Sequence, residues 1–408
     1  MLPTRPLCRL LLAALVVSGA STARAQHAAA VVLVDQPLPA ARRELLQLAF
    51  DAVSTMPANP HAKNRSRAQE SVVAGCLQLG QCQLAHDLAA RIDDWRRGVC
   101  LADLAVHLIE HDAAAAAAPL LEQAQKIADT PEQDPQAWRR DRIRARVAAA
   151  HLLLGTEAKV KDWSAGIVAS ELAVLDATRM RNVVAADLDP LLVKFDGVLA
   201  AGNFEAVCST LGACVVLFDR FYTDAAVRTK LETRVLTGYD KLPIPMRLEM
   251  VVQLVETALR RGDPPTAQRL LVQAQHLLAR TLRLAEEEVA WRGRIAGLRG
   301  RAGELAAGRA DAAAALARFV ECRDRIVDIY RAGALRPVAA AFLFAGDAEE
   351  AGKVYRRAVE DGVHNPNSRP RAEDLAATCV AMAVAGFDVD SELRARLEQI
   401  AKGLGNPW

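Results

Sequence analysis

The chain has 408 residues, 52% of them apolar and 25% charged, with 51 Lys and Arg against 49 Asp and Glu for a formal net charge of +2. That balance disfavours a nucleic-acid binder, which needs a basic excess to neutralise phosphate. The apolar content is enough for a large core.

Residues 1–25 read as a secretory signal peptide. Arg5 and Arg9 lead into the apolar run Leu10 to Val17, and Ala23-Arg24-Ala25 supplies an Ala-x-Ala cleavage site. The run falls short of the roughly 20 residues a spanning helix needs, and no later stretch reaches that length without charge. The expectation is therefore an exported protein, periplasmic or extracellular, cleaved after Ala25, with no membrane span. Cys8 precedes the apolar run, so no lipid anchor is expected. Cleavage removes three arginines and no acid, which leaves 48 basic against 49 acidic residues.

Residues 26–40 form a lead-in segment, with the apolar stretch Val31 to Val34 bounded by Pro37 and Pro39. From Ala41 to residue 403 the pattern is helix, turn, helix, and residues 404–408 are a tail. The turns fall at Gly80, His111-Asp112, Gly155, Gly202, Gly262, Gly308, Gly346 and Gly386. Five, nine and twelve residues after the turn stand small or apolar side chains: Ala85, Ala89 and Ile92 after Gly80; Ala267, Leu271 and Ala274 after Gly262; Ala313, Ala317 and Val320 after Gly308; Ala351, Tyr355 and Ala358 after Gly346. Steps of four and three mark one helix face. A turn residue in the left-handed conformation ends one helix, and the next lays its small face back on it. The class is all-α, with about eight hairpins stacked into a right-handed superhelix. Thr130 to Pro135, Asp189-Pro190, Pro243 to Pro245 and His364 to Pro370 are expected to be surface connections. After Gly386 the face is more polar, with Ser391, Ala395 and Glu398, as expected of a terminal hairpin with no neighbour to cover it.

Seven cysteines follow the leader: Cys76, Cys82, Cys100, Cys208, Cys214, Cys322 and Cys379. No Cys-x-x-Cys pair occurs, which removes the simplest zinc and redox motifs. A disulfide among Cys76, Cys82 and Cys100 suits an oxidising compartment. Cys208 and Cys214, six apart on one helix, point to different sides and are not expected to bond. Most of the seven are expected to be small buried residues.

The segment Gly346-Asp347-Ala348-Glu349-Glu350-Ala351, continued by Tyr355 and Ala358, resembles the tetratricopeptide repeat. Gly262-Asp263 with Ala267, Leu271 and Ala274 resembles it again, and Ala85 to Leu104 repeats the alanine spacing with Trp95 and Arg97 opening the next helix. The chain is thus similar to tetratricopeptide-like α-solenoid proteins over most of residues 41–403. Asp112 stands where the family has Gly, and the repeat length drifts. The resemblance implies a binding scaffold.

Chemistry-bearing patterns are few. His107-Leu108-Ile109-Glu110-His111 resembles the His-x-x-Glu-His of inverted-motif zinc peptidases, in which two histidines hold zinc and the Glu activates water. That family needs a downstream acidic ligand, and the corresponding stretch offers Asp187 but no Glu. There is no nucleophile elbow, phosphate loop or dinucleotide fingerprint. No catalytic, cofactor-binding or metal-binding residue is therefore assigned. Glu286 to Glu288 and Glu349-Glu350 read as solvated charge. The best binding candidate is the run opened by Trp138, in which Arg139, Arg142 and Arg146 share one helix face and could hold a carboxylate-rich segment. Trp291-Arg292-Gly293-Arg294 is a weaker echo.

The expected function is a non-catalytic exported scaffold that binds a protein or peptide on its concave face, with no cofactor. Two alternatives stand beside it: a metal-dependent envelope hydrolase using His107, Glu110 and His111, and a self-associating structural component of the envelope, a homo-oligomer.

Overall fold

The computed structural model describes residues 33–130, 136–168, 171–238, 240, 242–279 and 284–408; the expected leader, residues 26–32 of the lead-in and residues 131–135 of the connection at 130–135 lie outside them. The helices are α1 (Ala40–Ser54), α2 (Ala58–Gln78), α3 (Cys82–Ala90), α4 (Arg96–Glu110), α5 (Ala114–Ala128), α6 (Ala137–Leu153), α7 (Glu157–Ser164), α8 (Ala173–Arg181), α9 (Ala185–Ala201) and α10 (Phe204–Arg220). They continue as α11 (Ala225–Gly238), α12 (Ile244–Arg260), α13 (Pro264–Leu278), α14 (Ala285–Arg301), α15 (Leu305–Cys322), α16 (Asp328–Phe344), α17 (Ala348–Gly362), α18 (Ser368–Ala385) and α19 (Ser391–Lys402). Among the described residues there is no strand beyond a single bridge between Asp35 and Gln81. No described helix is long and apolar enough to cross a membrane.

The turns form as the spacing predicts. Gly80, Gly262 and Gly346 have φ of 64°, 68° and 79°, and Asp112, the one non-glycine with positive φ among the described residues, has 61°. After each of them the next N–H reaches back to the fifth residue before it: Gln81 to Cys76, Ala113 to Leu108, Asp263 to Ala258 and Asp347 to Phe342, all at 2.8–2.9 Å. That is a Schellman closure, which satisfies carbonyls the helix end leaves open. The following helix is then capped from its own first residues, as where the Asp263 carboxylate accepts from Thr266 N at 3.0 Å and that of Asp347 from Glu350 N at 3.2 Å. The residues five, nine and twelve after Gly80, Asp112, Gly262 and Gly346 are all buried.

Several turn assignments are corrected. Gly308 lies inside α15, and the turn is at Gly303, φ 87°. Counted from there the small residues are Gly308, Ala312 and Ala315, all buried, while Ala313 and Ala317 are exposed and Val320 is 54% exposed. Gly308 meets Gly300 so closely that a Cβ on it would lie 2.9 Å from Gly300 N, so it serves helix contact and not chain reversal. Gly202 has φ −68° and joins α9 to α10, with the Asn203 side chain accepting from Ala206 N at 2.9 Å. Pro190 does not break the chain, because it falls early in α9. All seven cysteines are free, and all but Cys208 are buried in helix packing, so the disulfide expected among Cys76, Cys82 and Cys100 does not form. Burial pushes the Cys76, Cys214 and Cys379 thiols up to about 12, far from the reactive thiolate.

The even-numbered helices α2 to α18 touch one another in order, each odd-numbered helix packs chiefly on that row, and α18 returns to α1 and α2. Residues Leu33–Trp408 thus form one unit in which the array closes on itself instead of running on as an open superhelix. At the seam, Arg42 Nε donates to Ala383 O at 2.8 Å, Arg394 pairs with Glu44, and Arg67 lies 3.7 Å from Glu373. Leu46, Phe50 and Val72 of the first helices share one core with Leu375, Met382 and Leu397 of the last. The expectation of an uncovered terminal hairpin is overturned: α19 starts five residues after Gly386, which turns Leu393, Leu397 and Ile400 inward in place of Ser391, Ala395 and Glu398.

Both ends of the unit are tied down. Asp35 of the lead-in accepts from Gln83 N at 2.7 Å and Leu84 N at 3.3 Å, which caps α3 from outside its own sequence. At the tail, Ser368 N donates to Pro407 O at 2.8 Å, and Trp408 packs against the shared core.

Candidate functional site

The arginines singled out from the sequence share one face of α6, but that face looks onto α4 and α2. Arg142 donates to Glu70 Oε1 at 3.1 Å, and Arg146 Nε donates to Asp103 Oδ1 at 2.8 Å. Glu70 is also the partner of Arg96, whose side chain is 8% exposed. Burial raises the Asp103 carboxyl above its ordinary range, against the pull of the Arg146 guanidinium. Arg142 and Arg146 are therefore structural ties between neighbouring helices.

Arg139 stands apart from them. Its guanidinium lies 5.4 Å from the Trp138 ring centroid and 5.8 Å from that of Trp95, within cation–π range. The two indoles meet edge to face, 5.4 Å between centroids and 77° between planes. Gly98 lets α4 approach this close, since a Cβ there would lie 2.8 Å from Ile143 Cδ1 on α6.

Around these rings the starts of α4 and α6 and the first turns of α2 enclose a cleft of about 420 Å³, within the size range of ligand pockets. Ile127 and Ile143 line its wall, and Lys63, Arg97 and Arg140 line it with charge. Its two acids are engaged: Asp94 accepts from Ser66 Oγ at 2.6 Å and Arg96 N at 2.9 Å, and Asp93 faces Arg65 at 3.2 Å. Lys63, Arg97 and Arg140 have no carboxylate within ion-pair distance among the described residues.

The signal for this cleft lies in the sequence as a repeated tripeptide, Trp95-Arg96-Arg97 and Trp138-Arg139-Arg140, each at the start of an even-numbered helix. In both copies the third residue faces the cleft. A search along one helix face does not find it, because the grouping crosses between repeats.

The His107, Glu110 and His111 set is arranged differently from a metal site. The two imidazoles stack with centroids 4.1 Å apart, His111 Nδ1 donates to His107 O at 2.7 Å, and Glu110 pairs with Arg181 of α8. Burial, and then His111, hold the His107 imidazole below its ordinary value. Among the described residues no three His, Cys, Asp or Glu side chains gather as a metal would need. Trp291 and Arg294 stack at 5.2 Å, but Arg294 is taken up by Glu249 at 3.3 Å or closer and Glu256 at 3.2 Å.

No family model matches this chain, and no curated protein matches it. Among solved structures it is similar to one described as a circular tandem repeat protein with novel repeat topology and enhanced subunit contact surfaces, at 16% identity over 89% of this chain and 94% of that one, with a TM-score of 0.26. At that score nothing about this protein follows from the other.

Proposed function

We propose that this protein is a non-catalytic, exported helical-repeat scaffold of tetratricopeptide-like kind that binds a protein or peptide partner. The observation that carries the reading is the cleft at the starts of α4 and α6, where two tryptophans face one concavity with three cations that have no carboxylate partner among the described residues. Trp and Arg are the side chains that dominate binding energy where proteins meet. Arg139 contributes through its ring contacts, whereas Arg142 and Arg146 support the cleft from behind.

The hydrolase alternative has no comparable support, since Glu110 is taken up by Arg181 and the histidines stack on each other. Self-association is separable by mass, because a scaffold keeps one mass across concentration when no partner is present.

The test is crosslinking of the tagged full chain in cells, followed by reconstitution with each purified candidate partner. The reading requires a saturable complex that Arg139→Glu weakens while the helical signal is unchanged. Failure of every candidate to reconstitute would sink it. N-terminal sequencing of the protein recovered from the same cells tests export, with Gln26 expected as the first residue.

A further inference from the structure

We infer that the cleft between α2, α4 and α6 is a docking site for an acidic peptide segment, with carboxylates held by Arg97, Arg140 and Lys63 and an apolar side chain seated against Trp138. The inference rests on the scaffold reading and names its partner's chemistry.

Three observations point the same way. Arg97 and Arg140 occupy equivalent places in adjacent repeats, so they present two guanidiniums of like origin to one concavity. A planar guanidinium donates paired N–H bonds to a carboxylate, and arginine clusters are a recurring way to read acidic segments. Trp138 is 41% exposed at the rim while Trp95 is 8% exposed beneath it, so one ring offers contact area and the other fixes it. Asp93 and Asp94 share the lining with the cations. A densely charged polyanion would press a phosphate or uronate on those acids, whereas a peptide spaces its carboxylates with uncharged groups and can match the alternation.

Among the described residues neither arginine has a buried partner that substitution would leave unpaired, so the variants are expected to retain the fold and isolate binding. The experiment is fluorescence polarisation of the full chain with a labelled Asp/Glu-rich peptide carrying one central Phe, with an unlabelled oligogalacturonate as competitor. Arg97→Glu and Arg140→Glu are each expected to weaken binding about tenfold or more, Trp138→Ala to weaken it at any salt concentration, and added salt to weaken the wild type. Arg325→Glu, an exposed cation far along the chain, is expected to change nothing.

Peptide binding that survives both charge reversals would overturn the cleft and leave the scaffold reading standing, with its surface elsewhere. Displacement of the peptide by equimolar oligogalacturonate would overturn the peptide assignment in favour of an acidic glycan. Absence of peptide binding at any accessible concentration would overturn the inference outright, while the reconstitution with purified partners still decides the scaffold reading.

Discussion

His151 shows how one buried polar side chain is accommodated in an alanine-rich array. It is 4% exposed, with Nδ1 3.1 Å from Thr156 Oγ and Nε2 3.3 Å from Gln125 Nε2. The Thr156 hydroxyl donates to His151 O at 3.0 Å, so it accepts from Nδ1–H, and Nε2 accepts from the Gln125 amide. Both contacts suit the neutral ring. Burial, and then Lys159, hold the imidazole below its ordinary 6.5. As pH falls through 6.5 the unfolded chain takes up this proton before the folded one does, so the stability His151 contributes is full above 6.5 and declines below it. A residue-resolved NMR titration is expected to place His151 under 6.5, and Gln125→Glu, which supplies an acceptor for Nε2–H, to raise it. An unshifted His151 in the wild type would refute its burial as a neutral ring.

At the scale of the helix and its turn, two kinds of backbone demand are written with the same residue type. Asp112 holds φ 61°, and its side chain has no hydrogen-bond or ion-pair partner among the described residues, so Asp112→Gly relieves left-handed strain. The gain is expected to be about 0.5–1 kcal/mol after the entropy cost of Gly, read from the urea midpoint. Gly300 is the opposite case: a Cβ there would lie 2.7 Å from the Phe344 carbonyl, and α14 meets α16 backbone to backbone. Backbone cannot yield as a side chain can, so Gly300→Ala is expected to cost about 1–3 kcal/mol by the same measurement. An unaltered midpoint would show that the two helices separate without penalty. This double use explains what the sequence discloses and what it hides. The turns at Gly80, Asp112, Gly262 and Gly346 are legible because an Asp or a small-residue face follows at fixed steps. Gly303 and Gly308 lie five apart in an alanine-rich stretch, where either satisfies the spacing, and only the approach of α14 decides between them. The arginine face of α6 is likewise legible as a face, but its orientation toward Glu70 and Asp103 is a property of neighbouring helices and leaves no mark in local spacing.

The closed array changes what the ends of the chain must do. An open solenoid needs terminal repeats with a polar outer face, and loss of one repeat removes only its own interface. Here α1 presents Leu46 and Phe50, both fully buried, to α18, and the two ends act as each other's caps. The seam also reaches the cleft, because α2 carries Glu70 toward Arg96 and Arg142 on one side and Gly75 against Val380 of α18 on the other; a Cβ on Gly75 would lie 2.7 Å from Val380 Cγ1. Removing residues 364–408 is therefore expected to bare the apolar face of α1 and to loosen the hold of α2 on Arg96. Light scattering should show the shortened chain associating, a dye for exposed apolar surface should bind it and not the full chain, and acidic peptide binding should weaken although no cleft residue is touched. A monomeric shortened chain that excludes the dye and binds peptide as before would mean that the two ends stand independently, each stable without the other.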